Sequence, residues 1–382
     1  MSTTPPLTTP SGLPRARALG VPFTGTPGHH NSITDVDGVR VGYRTLIRGD
    51  DVRTGVTAIL PRGHDGVGVP VMAGVHSLNG NGEMTGFVWA EECGRIESPI
   101  VLTNTHSVGV AHDATIRWMR RHNPTTPTWV LPMIAETFDG ILNDIDGHHV
   151  GSDDVWMALD AAKDGPIDEG SVGGGTGMVC YEWKGGSGTA SRVVALGPPG
   201  GPAQHHGVIG AFVQANFGRR VHCHVAGVPI GRWLTEAHAA GDASVPDEQG
   251  SVIVVVATDL PLMPHQLKRL AKRAGLGIGR SGSIAGHGSG DIFVAFSTSH
   301  GDFLAPASSL GYGPRPFAAV PDDALSPVFG AVVEAVDEAI LDALTANTTM
   351  QGKGGAVVEA MPHDVVRRAM AALPALKAAT LG

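Results

Sequence analysis

With 382 residues, 42% of them hydrophobic and 16% charged, the chain has the makeup of a core-forming globular protein and not of a disordered one. A formal net charge of −9 argues against nucleic acid as a partner, because that role calls for clustered positive charge. Glycine is in excess: 54 residues is roughly twice the average share of about 7%, so many tight turns and close backbone approaches are expected.

Residues 1–28, rich in Pro, Thr and Gly, are expected to form a loose, flexible arm. Order is expected from about Asn31, where alternation and Gly up to Gly42 suggest a hairpin. Apolar runs predict strands at 57–60, 69–75, 100–103, 191–196, 208–216, 253–257 and 292–297. Helices are predicted over Asp153–Lys163 and over Pro264–Ala274, the second stopped by Gly275. The longest helix follows Ser326-Pro327, a good N-cap and first residue. Its apolar positions Val328, Val332, Val336, Ile340 and Leu344 recur at helical spacing, and Asn347 suits its end. A last helix is predicted over Asp364–Leu373. Strands outnumber helices, many lack a polar alternate face, and no linker divides the interior. The expectation is one interleaved α/β domain over residues 29–382, with helices covering stacked sheets.

The N-terminus has no charged start followed by an apolar core of roughly 7–15 residues. No run reaches the ~18 apolar residues of a membrane span. Three cysteines are too few and too scattered for a disulfide framework. Together these suggest a cytoplasmic protein that does not engage a membrane. The basic residues Lys268, Arg269, Lys272 and Arg273 share one predicted helix, where a solvated face explains them better than nucleic acid does.

Several motifs invite functional readings that fail on context. Gly277-Ile278-Gly279-Arg280-Ser281-Gly282 spells the dinucleotide fingerprint, but it follows a helix and leads towards a strand, the reverse of the required order. His222-Cys223-His224 puts two imidazoles on one face of a predicted strand without an evident third ligand, so structural histidines are favoured and no metal is assigned. The run from Gly170 to Met178 fits either an anion cradle or a tight chain crossing. The acids from Glu136 to Asp144 are either solvated turn residues or binders of a substrate ammonium.

One junction stands apart. Asp247-Glu248-Gln249-Gly250-Ser251 is polar and loop-like, yet it runs directly into the apolar stretch Val252–Ala257. A cut before Ser251 would place a serine with a free α-amine at the start of a buried strand, the construction of N-terminal nucleophile hydrolases. Gly-Ser occurs six times in the chain, so the context and not the dipeptide carries this reading. Ser289 and Asp291 precede a second strand and, beside Ser251, could form a serine–serine–carboxylate chain.

Taken in order, these motifs resemble those of the P1 family of self-cleaving serine aminopeptidases, the L-aminopeptidase/D-esterase and β-peptidyl aminopeptidase group. The marks are Asn31–Val39, Glu136–Val150, Val172–Met178, Gly188–Arg192, Val213–Gly218 and Gly250-Ser251 before an apolar strand. The resemblance implies a four-layer αββα sandwich like that of N-terminal nucleophile hydrolases, with different strand connectivity. It implies autoproteolysis between Gly250 and Ser251, giving chains of residues 1–250 and 251–382. Ser251 matches the nucleophile, Ser289 and Asp291 the second serine and acid, Asn216 the oxyanion amide, and Glu136 the carboxylate that holds the substrate's amine. Small peptides and aminoacyl amides or esters are the implied substrates. No cofactor is implied, and a homo-oligomer of αβ pairs is. Two alternatives are an acyltransferase of the ornithine acetyltransferase type, whose nucleophile is expected to be threonine, and an uncleaved, non-catalytic binding protein.

Overall fold

The computed structural model describes residues 5–124, 129–198, 200–235, 249–301, 303–305 and 307–381. Two helical layers enclose two stacked sheets because nearly every strand has two apolar faces. In chain order the elements are β1 (Arg40–Arg48), β2 (Val52–Leu60), β3 (Val71–Gly80), α1 (Phe87–Cys93), β4 (Arg95–Ile96), β5 (Ile100–Asn104), α2 (Val108–His122), β6 (Met133–Thr137) and α3 (Ser152–Asp160). There follow the short pair β7 (Val179–Cys180) and β8 (Trp183–Lys184), then β9 (Gly186–Leu196), β10 (His205–Asn216), α4 (Ile230–Leu234) and β11 (Gln249–Thr258). The chain continues through α5 (Pro264–Ser281), β12 (Gly288–Ser297), α6 (Ala307–Leu310), α7 (Ser326–Thr345) and α8 (His363–Leu381).

A four-stranded sheet has the order β1-β2-β5-β6, and a six-stranded sheet the order β4-β3-β12-β11-β10-β9. Pairing is antiparallel in both except between β5 and β6 and between β11 and β12. The alternation of side chains along β11 shows how the layers arise. Ile253, Val255 and Ala257 face the interior between the sheets, where they meet Ile100, Leu102 and Phe212. Val252, Val254 and Val256 face the other way, into a core shared with α5 and α7. On the far side of the smaller sheet, Val56, Ala58 and Val101 pack against Ala114 and Trp118 of α2 and Val155 and Leu159 of α3. The result is the αββα sandwich that the resemblance implied.

Some local expectations need correction. The hairpin lies further along the chain than expected, between β1 and β2; Ile33–Asp35 is a single 3-10 turn capped by Ser32. The helix predicted to stop at Gly275 runs on to Ser281 and ends at Gly282, whose φ of 109° suits only glycine. Within it Gly277 serves close packing, since a Cβ there would sit 2.7 Å from the Val336 Cβ of α7. That contact accounts for part of the misleading fingerprint. His222 ends a 3-10 turn and not a strand. Asn347 falls just beyond the C-cap Ala346 of α7, but its amide still donates to the Ala343 carbonyl at 2.6 Å.

The largest correction concerns the arm. Residues 1–4 lie outside the described residues, but residues 5–28 are anchored to the body at Thr9, Arg15, Ala16, Leu19, Val21 and Gly28, with exposed residues between these buried points. Ala16, Leu19 and Val21 enter the core beneath α7. Arg15, only 3% exposed, pairs with Glu169 at 2.9 Å and Asp342 at 2.8 Å and donates to the carbonyls of Asn31 and Thr189. Arg17 holds Glu338, which Arg192 also meets at 2.6 Å. A Pro/Thr/Gly composition signals irregular backbone, and irregular backbone can still be buried when side chains supply the partners. No helix among the described residues is long and apolar enough to cross a membrane.

Candidate active site

The strand β11 starts at Gln249, so the described chain runs unbroken through Gly250 and Ser251; Asp247 and Glu248 lie outside the described residues. Ser251 shares the face of Ile253 and Val255 and therefore points between the sheets. Its direct partner on the antiparallel neighbour β10 is Asn216. Cross-strand partners project to the same side. The Asn216 Nδ2 donates to Ser251 Oγ at 3.4 Å, while its Oδ1 accepts the Val179 N–H at 2.8 Å. That second bond fixes which end of the amide faces the serine.

The opposite wall comes from the smaller sheet. Gln214, two residues before Asn216, donates across the gap to the Thr103 carbonyl at 3.1 Å and to the Thr137 hydroxyl at 2.7 Å. This tie sets the end of β6 over Ser251, and the Phe138 N–H donates to Ser251 Oγ at 3.3 Å. Glu136 lies one residue before Thr137 and is 4% exposed. Its Oε1 accepts the Glu83 N–H at 3.0 Å, and its Oε2 accepts the Thr105 hydroxyl. Burial pushes the Glu136 carboxyl above the ordinary range, against the pull of those two hydrogen bonds. The result is a carboxylate held in place by neutral donors, with no ion pair to a cation among the described residues.

Ser251, Asn216 and Glu136 line one cavity of about 990 Å³. Phe138 and Ile141 add an apolar wall, and Glu83, Glu182 and Arg219 add charge at its edge, with Arg219 paired to Glu182 at 2.8 Å. Gly250 also lines it, and glycine is required there: a Cβ would stand 2.7 Å from the Asn216 carbonyl oxygen and 2.8 Å from the Phe217 Cα. A cleft that opens on a serine hydroxyl flanked by two N–H donors, with an anchored carboxylate nearby, can hold an amine and present a carbonyl to the hydroxyl.

Ser289 and Asp291 are hydrogen-bonded to each other. The Ser289 hydroxyl donates to Asp291 Oδ1 at 2.6 Å, and both residues are buried. Register places Ser251 opposite Gly290, with Ser289 opposite Gly250 and Asp291 opposite Val252. Alternation therefore puts the pair on the face that carries Phe293, not on the face of the Ser251 hydroxyl. Neither lines the cavity, and in this unbroken chain the Ser251 hydroxyl meets Phe138 and Asn216 instead.

Sequence reading did not single out Thr105, the Glu83 N–H or Gln214. Gln214 had a usable signal, since it sits at strand spacing from Asn216. Asn81-Gly82, directly after β3, is the available sequence signal for the loop that carries Glu83. The glycine-rich segment at 170–178 is a chain crossing, with Gly173–Gly175 in a 3-10 turn against β2 and β9.

Residues 31–358 match the model of peptidase family S58. The chain is 47% identical over 373 residues to the β-peptidyl aminopeptidase BapA of Sphingosinicella microcystinivorans, spanning 93% of this chain and 91% of that one. It is 45% identical over 380 residues to the protein of the same name from Sphingosinicella xenopeptidilytica, spanning 94% and 91%. Among solved structures it matches the L-aminopeptidase D-Ala-esterase/amidase of Ochrobactrum anthropi, described as a variant of the Ntn hydrolase fold, with a TM-score of 0.84, 46% identity and coverage of 93% and 97%. The β-aminopeptidase of a Burkholderia species matches with a TM-score of 0.83, 44% identity and coverage of 94% and 98%. These similarities favour an aminopeptidase over the acyltransferase and the binding protein. The chain belongs to peptidase family S58 and is a serine-type aminopeptidase of the N-terminal nucleophile hydrolase type.

Proposed function

We propose that the chain matures by cutting itself before Ser251 and then uses Ser251 to release N-terminal residues from small peptides, amides or esters. The observation that supports this most is the meeting of Ser251, Asn216 and Glu136 in one cavity at the head of a buried strand. In maturation the Ser251 Oγ attacks the Gly250 carbonyl carbon. The Gly250–Ser251 C–N bond breaks, the Ser251 nitrogen takes the hydroxyl proton, and an ester joins Gly250 to Oγ. Water then hydrolyses the ester, leaving a Gly250 carboxylate and a free Ser251 α-amine.

In the mature enzyme the same oxygen attacks the substrate carbonyl, the leaving group departs with a proton, and water cleaves the acyl-enzyme. The new α-amine, of a type that ordinarily titrates at about 7.7–8.0, is suited to act as general base near neutral pH. The Ser289–Asp291 pair orients that amine or relays its proton. Asn216 Nδ2 and the Phe138 N–H, the two donors to Ser251 Oγ, would serve the oxyanion that develops beside that oxygen, and loss of one such donor costs about 10²–10³ in kcat. Glu136 pairs with the substrate's ammonium and so selects a free amine, α or β to the carbonyl. The working form in this reading is a cytoplasmic oligomer of αβ pairs.

A denaturing gel and an activity panel test the proposal together. The native protein should run as two chains, 1–250 and 251–382, whereas Ser251→Ala should remain one. A variant that still divides at this bond would exclude Ser251 as the nucleophile. Assays with L-, D- and β-aminoacyl amides then define the substrate.

A further inference from the structure

Lys184 lies near the site, and the proposed reaction leaves its chemistry unused. It is completely buried, and burial pushes its ammonium down to about 7. Among the described residues it makes no ion pair; its Nζ donates to the carbonyls of Gly185 at 2.7 Å, Met178 at 3.0 Å and Gly175 at 3.5 Å. Two of these carbonyls belong to the glycine-rich turn, and the third, that of Gly185, lies in the one-residue link between β8 and β9. An ammonium has three donors, and three inward-facing carbonyls use them all. Burying a cation without a counter-charge is costly, so the position needs a return that an apolar residue would not give.

That return is visible one residue further along. Val179, joined to Met178 and paired with Lys184 in the β7–β8 ladder, supplies the N–H that holds Asn216 Oδ1 at 2.8 Å. An asparagine amide has two nearly isosteric orientations, and only one presents Nδ2 to Ser251 Oγ. The Gly185 N–H also donates to the Met178 carbonyl at 2.9 Å, the Met178 N–H to the Gly175 carbonyl at 3.3 Å and the Asn347 amide to the Gly185 carbonyl at 2.9 Å, so each carbonyl has a second donor, but the ammonium is the one group that joins all three. Its loss would leave the three inward-facing carbonyls without their shared cation, and their mutual repulsion would strain the backbone next to the Val179 N–H.

We propose that Lys184 is a positioning residue for the reaction, tying the glycine-rich turn to the β8 end so that Val179 holds the Asn216 amide with its nitrogen towards Ser251. The proposal rests on the roles proposed above for Ser251 and Asn216.

The test is a double-mutant cycle with Lys184→Met and Asn216→Ala, read as kcat and KM on an amino-acid p-nitroanilide. Asn216→Ala should lower kcat about 10²–10³-fold. Lys184→Met should lower kcat about 10–100-fold, with KM unchanged because Glu136 is held independently. In the Asn216→Ala background the Lys184 substitution should add less than about twofold, since the group it positions is gone. If the two losses multiply, or if KM rises at constant kcat, Lys184 is a packing residue only and the proposal fails. If Asn216→Ala leaves kcat intact, the assignment of Asn216 itself fails, and this result is separable from the first. Should Lys184→Met not fold or not mature, Lys184→Gln, which keeps an amide donor, carries the same cycle with a smaller kcat loss, and multiplication in that series refutes the proposal equally.

Discussion

Replacing Glu136 by Gln separates recognition from structure. Glutamine keeps an oxygen for the Glu83 N–H at the Oε1 position, and the Thr105 hydroxyl, now a donor to Oε2, can accept from the new amide instead. The local hydrogen bonds survive, so the change removes little beyond the negative charge. Since burial already disfavours the charged form, the variant should melt no lower than the wild type near neutral pH. What it loses is a charge-assisted pair with the substrate ammonium, worth about 1.5–3 kcal/mol, which corresponds to a fall of about 10- to 150-fold in kcat/KM. The assay compares amino-acid p-nitroanilides with their N-acetylated forms. Wild-type preference for the free amine should shrink by the same factor, mostly through KM. The raised carboxyl pKa adds a signature: wild-type KM should climb on the acid side at a pH above the ordinary glutamate range, as protonation removes the charge. The Glu136→Gln variant should show no such limb. Unchanged kcat/KM and unchanged preference for the free amine would refute the role assigned to Glu136.

Gly250→Val should slow self-cleavage at least about 10-fold, the rate equivalent of about 1.4 kcal/mol, because its Cβ would press 2.7 Å from the Asn216 oxygen; a gel time course measures it. Arg15→Ala strands the Glu169 and Asp342 carboxylates in the core and should cost about 3–5 kcal/mol in denaturant unfolding of the uncleaved Ser251→Ala chain, while in the self-cleaving chain catalysis by the folded fraction is unaffected. Asp139, buried and pushed up to about 6, holds its proton more tightly folded than unfolded, so its contribution is favourable below about pH 4 and is lost as pH rises through about 6. Asp139→Asn, which can keep the bond from Asn143 at 3.1 Å, should therefore gain about 3 kcal/mol between about pH 4 and pH 7, read in the uncleaved Ser251→Ala chain as a widening gap between the urea midpoints with and without the substitution.

Whatever pairs locally or repeats with a clear period was legible in the chain. β11, β12 and α7 carry long apolar patterns, and all three emerge where expected. Helix α2 escaped notice because its buried stripe of Ala111, Ala114, Thr115, Trp118 and Met119 is built mostly of small or weakly apolar residues among Arg and His. β6 escaped because it is only five residues long, follows Pro132 and contains Glu136, which made the region read as turn. Ser251 and its amide neighbour could be named from motif order. Their alignment across β10 and β11, like the approach of Thr105 and Glu83 to Glu136, depends on strand register between distant segments, and no local pattern encodes that. The arm was misjudged for a related reason: Arg15 finds its partners on residues more than a hundred positions away.

The place of β11 in its sheet has a consequence for the life of the enzyme. It is flanked by β10 on one side and β12 on the other, so the proposed cut falls inside a sheet whose strands come from both products. The two pieces share one hydrophobic interior and cannot part without exposing it. In the proposed maturation the fold is reached by a single continuous chain, and the cut then removes that covalent connection. After full denaturation the intact Ser251→Ala chain should recover its structure far more readily than the two separated pieces of the native enzyme. The proposed maturation is in this sense one-way, giving up the ability to refold for a free amine at Ser251.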